Sequence, residues 1–473
     1  MKDILHKNVL LVGATTGMAT NGLLYLTSYL YRNGINALCQ LRDNNTSDDA
    51  LKTNIFRLLI EHHPTLVGVS IKWFQHIARG LRICNLVKSY SHSIKVVVGG
   101  NTASYFRYDI IHNENVDYII CGDGELPLLM LCQGKDEIPN FVYKEHRQVK
   151  ETGFQYIHNH ENSEKIFISD IGKIVIEKDD FSSFSYLYIN TGKGCNQNCF
   201  YCGGSLQTQI NTFNRKVPFY RPVKSVRKDI LESVRYTDTL MFDFEIIGVV
   251  PYNIYEQSFS GIDLKTKNGF FYCWVLPADN LIKLLALTFN KVQLMIDIAS
   301  LSENHRLILR EKGMIKEQPT DEQLFNILRH CSEFKNVSVG FSCILGMPFM
   351  EHGDIGAGEE WIKNITDNFP SFNFLEFGRL HAQPGAPMLS TYEDFGMNVP
   401  ALSFHDYYKV SEMNLEQGSY PDIGHLKYPQ ITYKDEKLNK AITLHSKNIL
   451  MMMQRYYREK EKTCLFGKCS LLI

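Results

Sequence analysis

The sequence predicts an α/β protein built from two successive parallel-sheet units, and three observations predict it. From residue 8 to about 132, short apolar runs alternate with stretches of helical period. A second such series starts near residue 185, and 473 residues leave room for two or three domains of roughly 100–200 residues each.

In the first series the strands are NVLLVG (8–13), INALCQL (35–41), TLVGVSI (65–71), IKVVVGG (94–100) and VDYIICG (116–122). Between them TNGLLYLTSYLYRNG, SDDALKTNIFRLLIEHH and ARGLRICNLVKSYSH repeat apolar residues at about 3.6-residue spacing, opening after Thr or Ser/Asp caps. This pattern predicts a doubly wound, Rossmann-like domain over 1–140, a class of sheet that binds ligands beyond the carboxyl ends of its strands. Residues 141–184 are polar and irregular and read as a linker, with one strand-like pair at EKIFISD and KIVIEKD.

The second series runs through SYLYINTGKGC, TLMFDFEIIGVV, GFFYCWVLP, KVQLMIDIAS, VSVGFSCILGMP and FNFLEFGRLHAQPG, with helices such as VRKDILESVRY and TDEQLFNILRHCSEF between them. It predicts a partial or complete (β/α) barrel over 185–395. Residues 396–473 read as a helical C-terminal region. There Tyr407, Tyr408, Tyr456 and Tyr457 either line a substrate mouth or pack helices, the commoner use of such aromatics. Cys464 and Cys469 make an incomplete ligand set and read as inert thiols.

Apolar residues make up 44% of the chain, charged residues 21%, and the net charge is −1, which points away from disorder and from a nucleic-acid footprint. The first residues, MKDILHKNVLLVG, read as a strand rather than a signal peptide, and no apolar run is long enough for a membrane span. Twelve scattered cysteines argue for reduced thiols and a cytoplasmic setting. Cys39, Cys84, Cys121, Cys132, Cys273, Cys331 and Cys343 lie in apolar settings and read as small hydrophobes.

Cys195, Cys199 and Cys202 are different. Three thiols fall within eight residues just after a strand, flanked by Asn and Gln. Thiolates select iron–sulfur clusters or zinc, and three on one loop would leave one iron of a 4Fe-4S cluster open to another ligand. A zinc site would want a second Cys or His pair nearby, and none follows. From Gly203 to Lys228 there is no acidic residue, whereas Arg215, Lys216 and Arg221 are basic, so this stretch offers no carboxylate to the open iron.

Cys-x-x-x-Cys-x-x-Cys with an aromatic before the third cysteine resembles the radical S-adenosylmethionine superfamily. IDIASLSENHRLILREKG, GFSCILGMP and RLHAQPGAPM resemble that family's fourth, fifth and sixth strand regions, so the likeness covers about 185–390. It implies that Cys195, Cys199 and Cys202 ligate a 4Fe-4S cluster whose open iron binds S-adenosylmethionine for reductive cleavage. Tyr201, Gly203 and Gly204 would adjoin the bound methionine moiety, with Asp243, Glu245, Ser300, Ile344 and Gly346 as further contacts. Glu351 follows Met350 where the family's spacing differs.

VVVGGNTASY (96–105) with VDYIICGDGELPLLML (116–131) is similar to the cobalamin-binding domain preceding the radical domain in one branch of that superfamily. The likeness implies cobalamin contacts from Thr15, Thr16, Ser70, Lys72, Trp73, Gly99, Gly100, Asn101, Thr102, Gly122, Gly124 and Glu125. Small residues there would let a corrin approach the backbone. The Asp-x-His-x-x-Gly motif that supplies a cobalt-ligating histidine is absent, since GATTGMATNG stands after the first strand; Lys72 or Trp73 would lie near the lower face. A nicotinamide or flavin is the runner-up ligand; against it, the first turn is not Gly-x-Gly-x-x-Gly and only Asp43 follows the second strand.

Together these resemblances imply a cobalamin-dependent radical S-adenosylmethionine enzyme, a methyltransferase passing a methyl group via methylcobalamin to an unactivated carbon of a small-molecule or peptide substrate. An electron donor such as flavodoxin or ferredoxin is implied, with no nucleic acid and no membrane span. The alternatives are a cyclase or rearrangement enzyme using cobalamin without methyl transfer, and a non-catalytic cobalamin or cluster redox sensor.

Overall fold

The computed structural model describes residues 5–14, 21–41, 44, 46–177, 186–242, 252–416 and 431–460. They form two compact units, one from the described residues of 1–184, 208–236 and 401–420, the other from those of 185–207, 237–400 and 421–473.

The first unit centres on β1 (Asn8–Gly13), β2 (Asn36–Gln40), β3 (Leu66–Ser70), β4 (Lys95–Gly99) and β5 (Tyr118–Ile120), parallel in the order β2-β1-β3-β4-β5. These strands are apolar on both faces because helices cover both, Leu51, Ile55, Leu58 and Leu59 of helix Asp48–His62 being one such buried stripe. The order reverses between β1 and β3, the topological switch point where sheets of this kind bind ligands. In register at that edge stand Gly13, Ser70, Gly99 and Ile120.

The sheet continues through β6 (Phe141–Glu145) and β7 (Gln148–Glu151), an antiparallel hairpin turning through His146 and Arg147 at φ 49° and 67°. The strand-like pair read at EKIFISD and KIVIEKD does not form. Residues 166–170 instead form no strand, several of their backbone groups bonding to side chains and Asp170 turning at φ 57°, and Ile171–Ile174 is a helical turn. Arg32 donates to the carbonyls of Lys165 (2.7 Å) and Phe167 (2.6 Å), and the Ile168 N–H reaches Asp229 Oδ1 at 2.7 Å. The apolar residues are real, but helix side chains satisfy the polar groups of the first run, while the second run reaches β2, Val175 bridging Cys39 in parallel and the Ile176 N–H donating to the Cys39 carbonyl at 3.1 Å.

Two later segments complete this unit. Helix Val223–Ser233 carries Asp229, which meets Arg221 and Tyr25. On helix Phe404–Glu416, Tyr407 packs against Phe74 and Phe106, and the Ser411 hydroxyl accepts from the Ala78 N–H (2.9 Å) and donates to the Gln75 carbonyl (2.8 Å). Ser411 thereby caps helix Ile77–Tyr90, which has no side-chain cap of its own at His76.

In the second unit β8 (Leu187–Ile189), β9 (Thr239–Phe242), β10 (Asn268–Cys273), β11 (Lys291–Asp297), β12 (Val337–Leu345) and β13 (Phe372–Arg379) are parallel and neighbour one another in chain order. Sequential order without a reversal is the connectivity of a (β/α) barrel, with six strands among the described residues. One face packs on helices: Phe242 stacks on Phe271 at 4.8 Å, Phe259 meets Phe242 edge-on, and Phe341 meets Trp361. On the opposite face polar residues alternate with apolar ones, and Asp297, Ser342 and Glu376 stand in one register row across β11, β12 and β13.

Helix Glu436–Lys460 lies against helix His352–Asn368, with His445 Nδ1 and Asn448 Nδ2 both on Glu359 Oε1 at 3.1 and 2.9 Å. Tyr456 donates to the Phe372 carbonyl and Tyr457 accepts from the Leu375 N–H, so these tyrosines pack the fold, as Tyr407 does in the first unit. Cys464 and Cys469 lie outside the described residues. Among the described residues no helix is long and apolar enough to cross a membrane.

Candidate functional site

Each unit gathers its candidate residues at the carboxyl ends of its strands. In the second, the cysteine loop leaves β8 and is pinned from several sides. The Phe200 N–H donates to the Met314 carbonyl (2.7 Å), the Phe200 carbonyl accepts from Met388 (2.9 Å), and the Phe200 ring packs on Phe395. At the far end of the loop Leu206 N–H bonds the Gln197 carbonyl and Gln207 N–H bonds Asn198 Oδ1, each at 2.8 Å.

Backbone amides point at the sulfurs. Gln197 N–H donates to Cys195 Sγ at 3.1 Å, and Gly204 N–H donates to Cys202 Sγ at 3.3 Å. Burial still pushes the Cys195 thiol up to about 11, the Cys202 thiol up to about 12 and Cys199 upward. Free thiols here are therefore protonated near neutrality, and a metal must displace protons to bind. Among the described residues no three His, Cys, Asp or Glu side chains are grouped to hold a single metal ion. A 4Fe-4S cluster is held differently, each thiolate taking its own iron, and for it the fit lies in donor type and in N–H bonds to sulfur. Three thiols, two of them with such donors, fit it.

Gly203 N–H donates to Gln383 Oε1 at 2.8 Å, and a Cβ at Gly203 would stand 2.7 Å from the Pro384 carbonyl. Only glycine lets the two loops lie this close. Tyr201 is half-buried, and its phenol is pushed well above 10 by burial and by Asp297. Ser300 is buried, its hydroxyl bonded to His305 Nδ1 (3.0 Å) and Ser302 N–H (3.3 Å) and its carbonyl to Arg306. Ile344 lies on the same sheet face as Asp297 and Glu376, in register with Gly378, while Gly346 takes a hydrogen bond from Tyr433 at its carbonyl. Asp243 and Glu245 lie outside the described residues.

The basic residues 215 and 221 stand elsewhere. Both belong to buried ion pairs of the first unit, Arg215 with Asp123 at 2.5 Å and Arg221 with Asp229 at 2.6 Å. The cysteines do have a carboxylate neighbour, contrary to what the sequence around them offers: Asp297, ending β11, acts on Cys199 and Cys202. It is held by Lys316, Nζ to Oδ2 at 2.6 Å. Neither residue was singled out from sequence, since about a hundred residues separate them from the loop.

In the first unit, Ser70, Lys72, Trp73, Gly99, Gly100, Gly122 and Gly124 are partly exposed along the switch-point edge, and Asn101 is exposed. A Cβ at Gly100, where φ is 108°, would stand 2.6 Å from the Ile71 carbonyl, so the β3 and β4 loops meet backbone to backbone. The Lys72 carbonyl accepts both the N–H and the hydroxyl of Thr102, and Lys72 Nζ sits 5.7 Å above the Trp73 ring. This open edge of small residues fits a large planar ligand.

Thr102 and Glu125 are buried, and their polar atoms serve the fold. Glu125 meets His158 Nε2 at 2.9 Å, and Asp123 meets His158 Nδ1 at 3.4 Å, so the GDGE acids build a buried network with His158 and Arg215. Thr15, Thr16 and Asp43 lie outside the described residues.

Residues 8–131 match the family model of the B12 binding domain. No curated protein matches the chain. Among solved structures, the radical S-adenosylmethionine methyltransferase TsrM from Kitasatospora setae, with tryptophan substrate and a SAM analogue bound, aligns at 16% identity and TM-score 0.66, over 94% of this chain and 89% of that one. TsrM with cobalamin and a 4Fe-4S cluster bound aligns at 15% identity and TM-score 0.64, over 96% and 100%. The cobalamin-dependent S-adenosylmethionine radical enzyme OxsB, with aqua-cobalamin and S-adenosylmethionine bound, aligns at 16% identity and TM-score 0.57, over 98% of this chain and 64% of that one. The chain thus has the fold of cobalamin-dependent radical S-adenosylmethionine enzymes. Its first unit carries a B12 binding domain.

Proposed function

We propose that this chain is a cobalamin-dependent radical S-adenosylmethionine enzyme that transfers a methyl group to a carbon of a small-molecule or peptide substrate. The observation that carries this reading is the thiol triplet with backbone N–H donors at its sulfurs, at the carboxyl end of a barrel-ordered sheet, in a chain that also has a B12 binding domain. Bound there, the cluster and cobalamin would supply electron transfer to S-adenosylmethionine and carriage of the methyl group.

The protein's own residues hold and orient. Cys195, Cys199 and Cys202 would ligate three irons, and Gly203 and Gly204 would keep the approach to the fourth free of side chains. Tyr201 and Tyr272 stay protonated, since burial and Asp297 push both phenols well above 10, so each has a hydroxyl proton to donate. Gly99, Gly100, Gly122 and Gly124 would let a corrin lie against backbone, with Trp73 beside it. The division into a cobalamin domain (1–140), a linker (141–184), a radical core (185–395) and a helical region (396–473) belongs to this proposal, as does a flavodoxin or ferredoxin as electron donor.

Anaerobically reconstituted protein incubated with methyl-labelled S-adenosylmethionine, a reductant and candidate substrates tests it. Label passing to substrate carbon together with 5′-deoxyadenosine supports the reading. Deoxyadenosine without label transfer removes methylation and favours cyclisation or rearrangement. No turnover of S-adenosylmethionine leaves a carrier or sensor.

A further inference from the structure

Beside the cysteine loop stands a buried ion pair that no ligand role explains. Lys316 and Asp297 have side chains only 4% and 7% exposed, and Nζ meets Oδ2 at 2.6 Å and the Trp274 carbonyl at 2.5 Å. The pair is rigidly placed. Asp297 ends β11, and Lys316 follows Met314, whose carbonyl takes the Phe200 N–H next to Cys199.

Both charges lie next to the cysteine loop, Lys316 two residues from the Met314 carbonyl that holds Phe200 and Asp297 paired to Lys316 at the end of β11. A side-chain pair in low dielectric interacts with nearby charge far more strongly than one in water. Burying both ions costs desolvation that apolar residues of similar size would avoid, so the pair is weak evidence for stability and needs another account.

Resting on the function proposed above, we infer that Lys316 and Asp297 are positioning residues that set the reduction potential of the cluster, the lysine raising it and the aspartate lowering it. The reduced cluster carries one more negative charge than the oxidised one, the electron coming from an external one-electron donor. A fixed cation favours the reduced form and a fixed anion opposes it, in keeping with the dependence of such potentials on local charge. With both present the two fields oppose each other at the cluster.

The test is a redox titration of the anaerobically reconstituted full chain with dithionite, without S-adenosylmethionine, followed by paramagnetic resonance of the reduced cluster. Lys316→Met should shift the midpoint to more negative values. Asp297→Asn, which keeps an acceptor for Nζ, should shift it to more positive values, and the double variant should return close to wild type. A merely structural pair would move both single variants in the same direction or neither. Same-direction shifts, or unmoved midpoints in variants with wild-type iron and sulfide content, overturn the inference. If Lys316→Met fails to fold, the sign of the Asp297→Asn shift decides alone. A wild-type chain that assembles no cluster contradicts the proposed function itself and removes this inference with it.

Discussion

Arg221 and Asp229 form an ion pair buried in the first unit, Nη1 to Oδ2 at 2.6 Å, and the Tyr25 hydroxyl meets the same carboxylate oxygen at 2.6 Å. The other carboxylate oxygen takes the Ile168 N–H, and Arg221 also reaches the Ile166 carbonyl. One carboxylate therefore joins helix Asn21–Arg32, helix Val223–Ser233 and the segment 166–170.

Removing one partner leaves a buried charge without compensation, a change that costs about 3–5 kcal/mol. Asp229→Ala is expected to lower the unfolding free energy by about that amount, read from urea denaturation. A loss below about 1 kcal/mol, the range of an exposed pair, would contradict the buried placement.

Gly203→Ala would place a methyl group 2.7 Å from the Pro384 carbonyl and 3.0 Å from Gln383 Cβ. Overpacking of this kind costs about 1–3 kcal/mol. Less iron per chain after reconstitution and a lower thermal midpoint are expected. Gln383→Ala, which removes one acceptor, should cost about 0.5–1.5 kcal/mol.

Gly100→Ala forces a side chain onto φ 108° and against the Ile71 carbonyl. About 1–3 kcal/mol of strain is expected, with weaker cobalamin retention on gel filtration. Asn101→Ala, at an exposed site, should leave stability within about 0.5 kcal/mol of wild type.

His76 is buried beside Lys72, and burial first and that lysine second lower its pKa to about 4. The folded protein binds this proton less readily than the unfolded chain, so between pH 6.5 and about 4 unfolding takes up a proton. Stability contributed here is present above pH 6.5 and falls as the pH drops through that window, by up to about 3 kcal/mol at 1.36 kcal/mol per unit. Urea midpoints at pH 7 and pH 4.5 should differ less in His76→Gln than in wild type.

The strands of both units were legible because strands of parallel sheets read as short apolar runs; β1 to β5, β8, β9 and β11 to β13 fall within the expected segments, and β10 begins one residue earlier than expected. The hairpin β6–β7 was not, since VYKEHRQVKE is charged and turns through His146 and Arg147 without glycine. Segment 164–177 misled in the opposite way: its two runs do not pair with each other, helix side chains taking backbone bonds of 167–169 and Cys39 of β2 pairing with Val175 and Ile176. At the candidate site the three cysteines stand out in sequence because their spacing puts three thiols on one loop. Lys316, Asp297, His158 and Gln383 do not, because nothing local marks a residue whose partner lies 19 to 180 positions away.

The central claim is that one chain holds both a cluster on Cys195, Cys199 and Cys202 and a cobalamin in its first unit. Anaerobic reconstitution with iron, sulfide and hydroxocobalamin, followed by optical and paramagnetic-resonance spectra of wild type and the Cys195/Cys199/Cys202→Ala variant, tests it directly. Cobalamin retained by both proteins, with a 4Fe-4S signal in wild type alone, is the predicted result. A wild-type chain that keeps no cobalamin, or a cluster signal that survives in the triple variant, would contradict it.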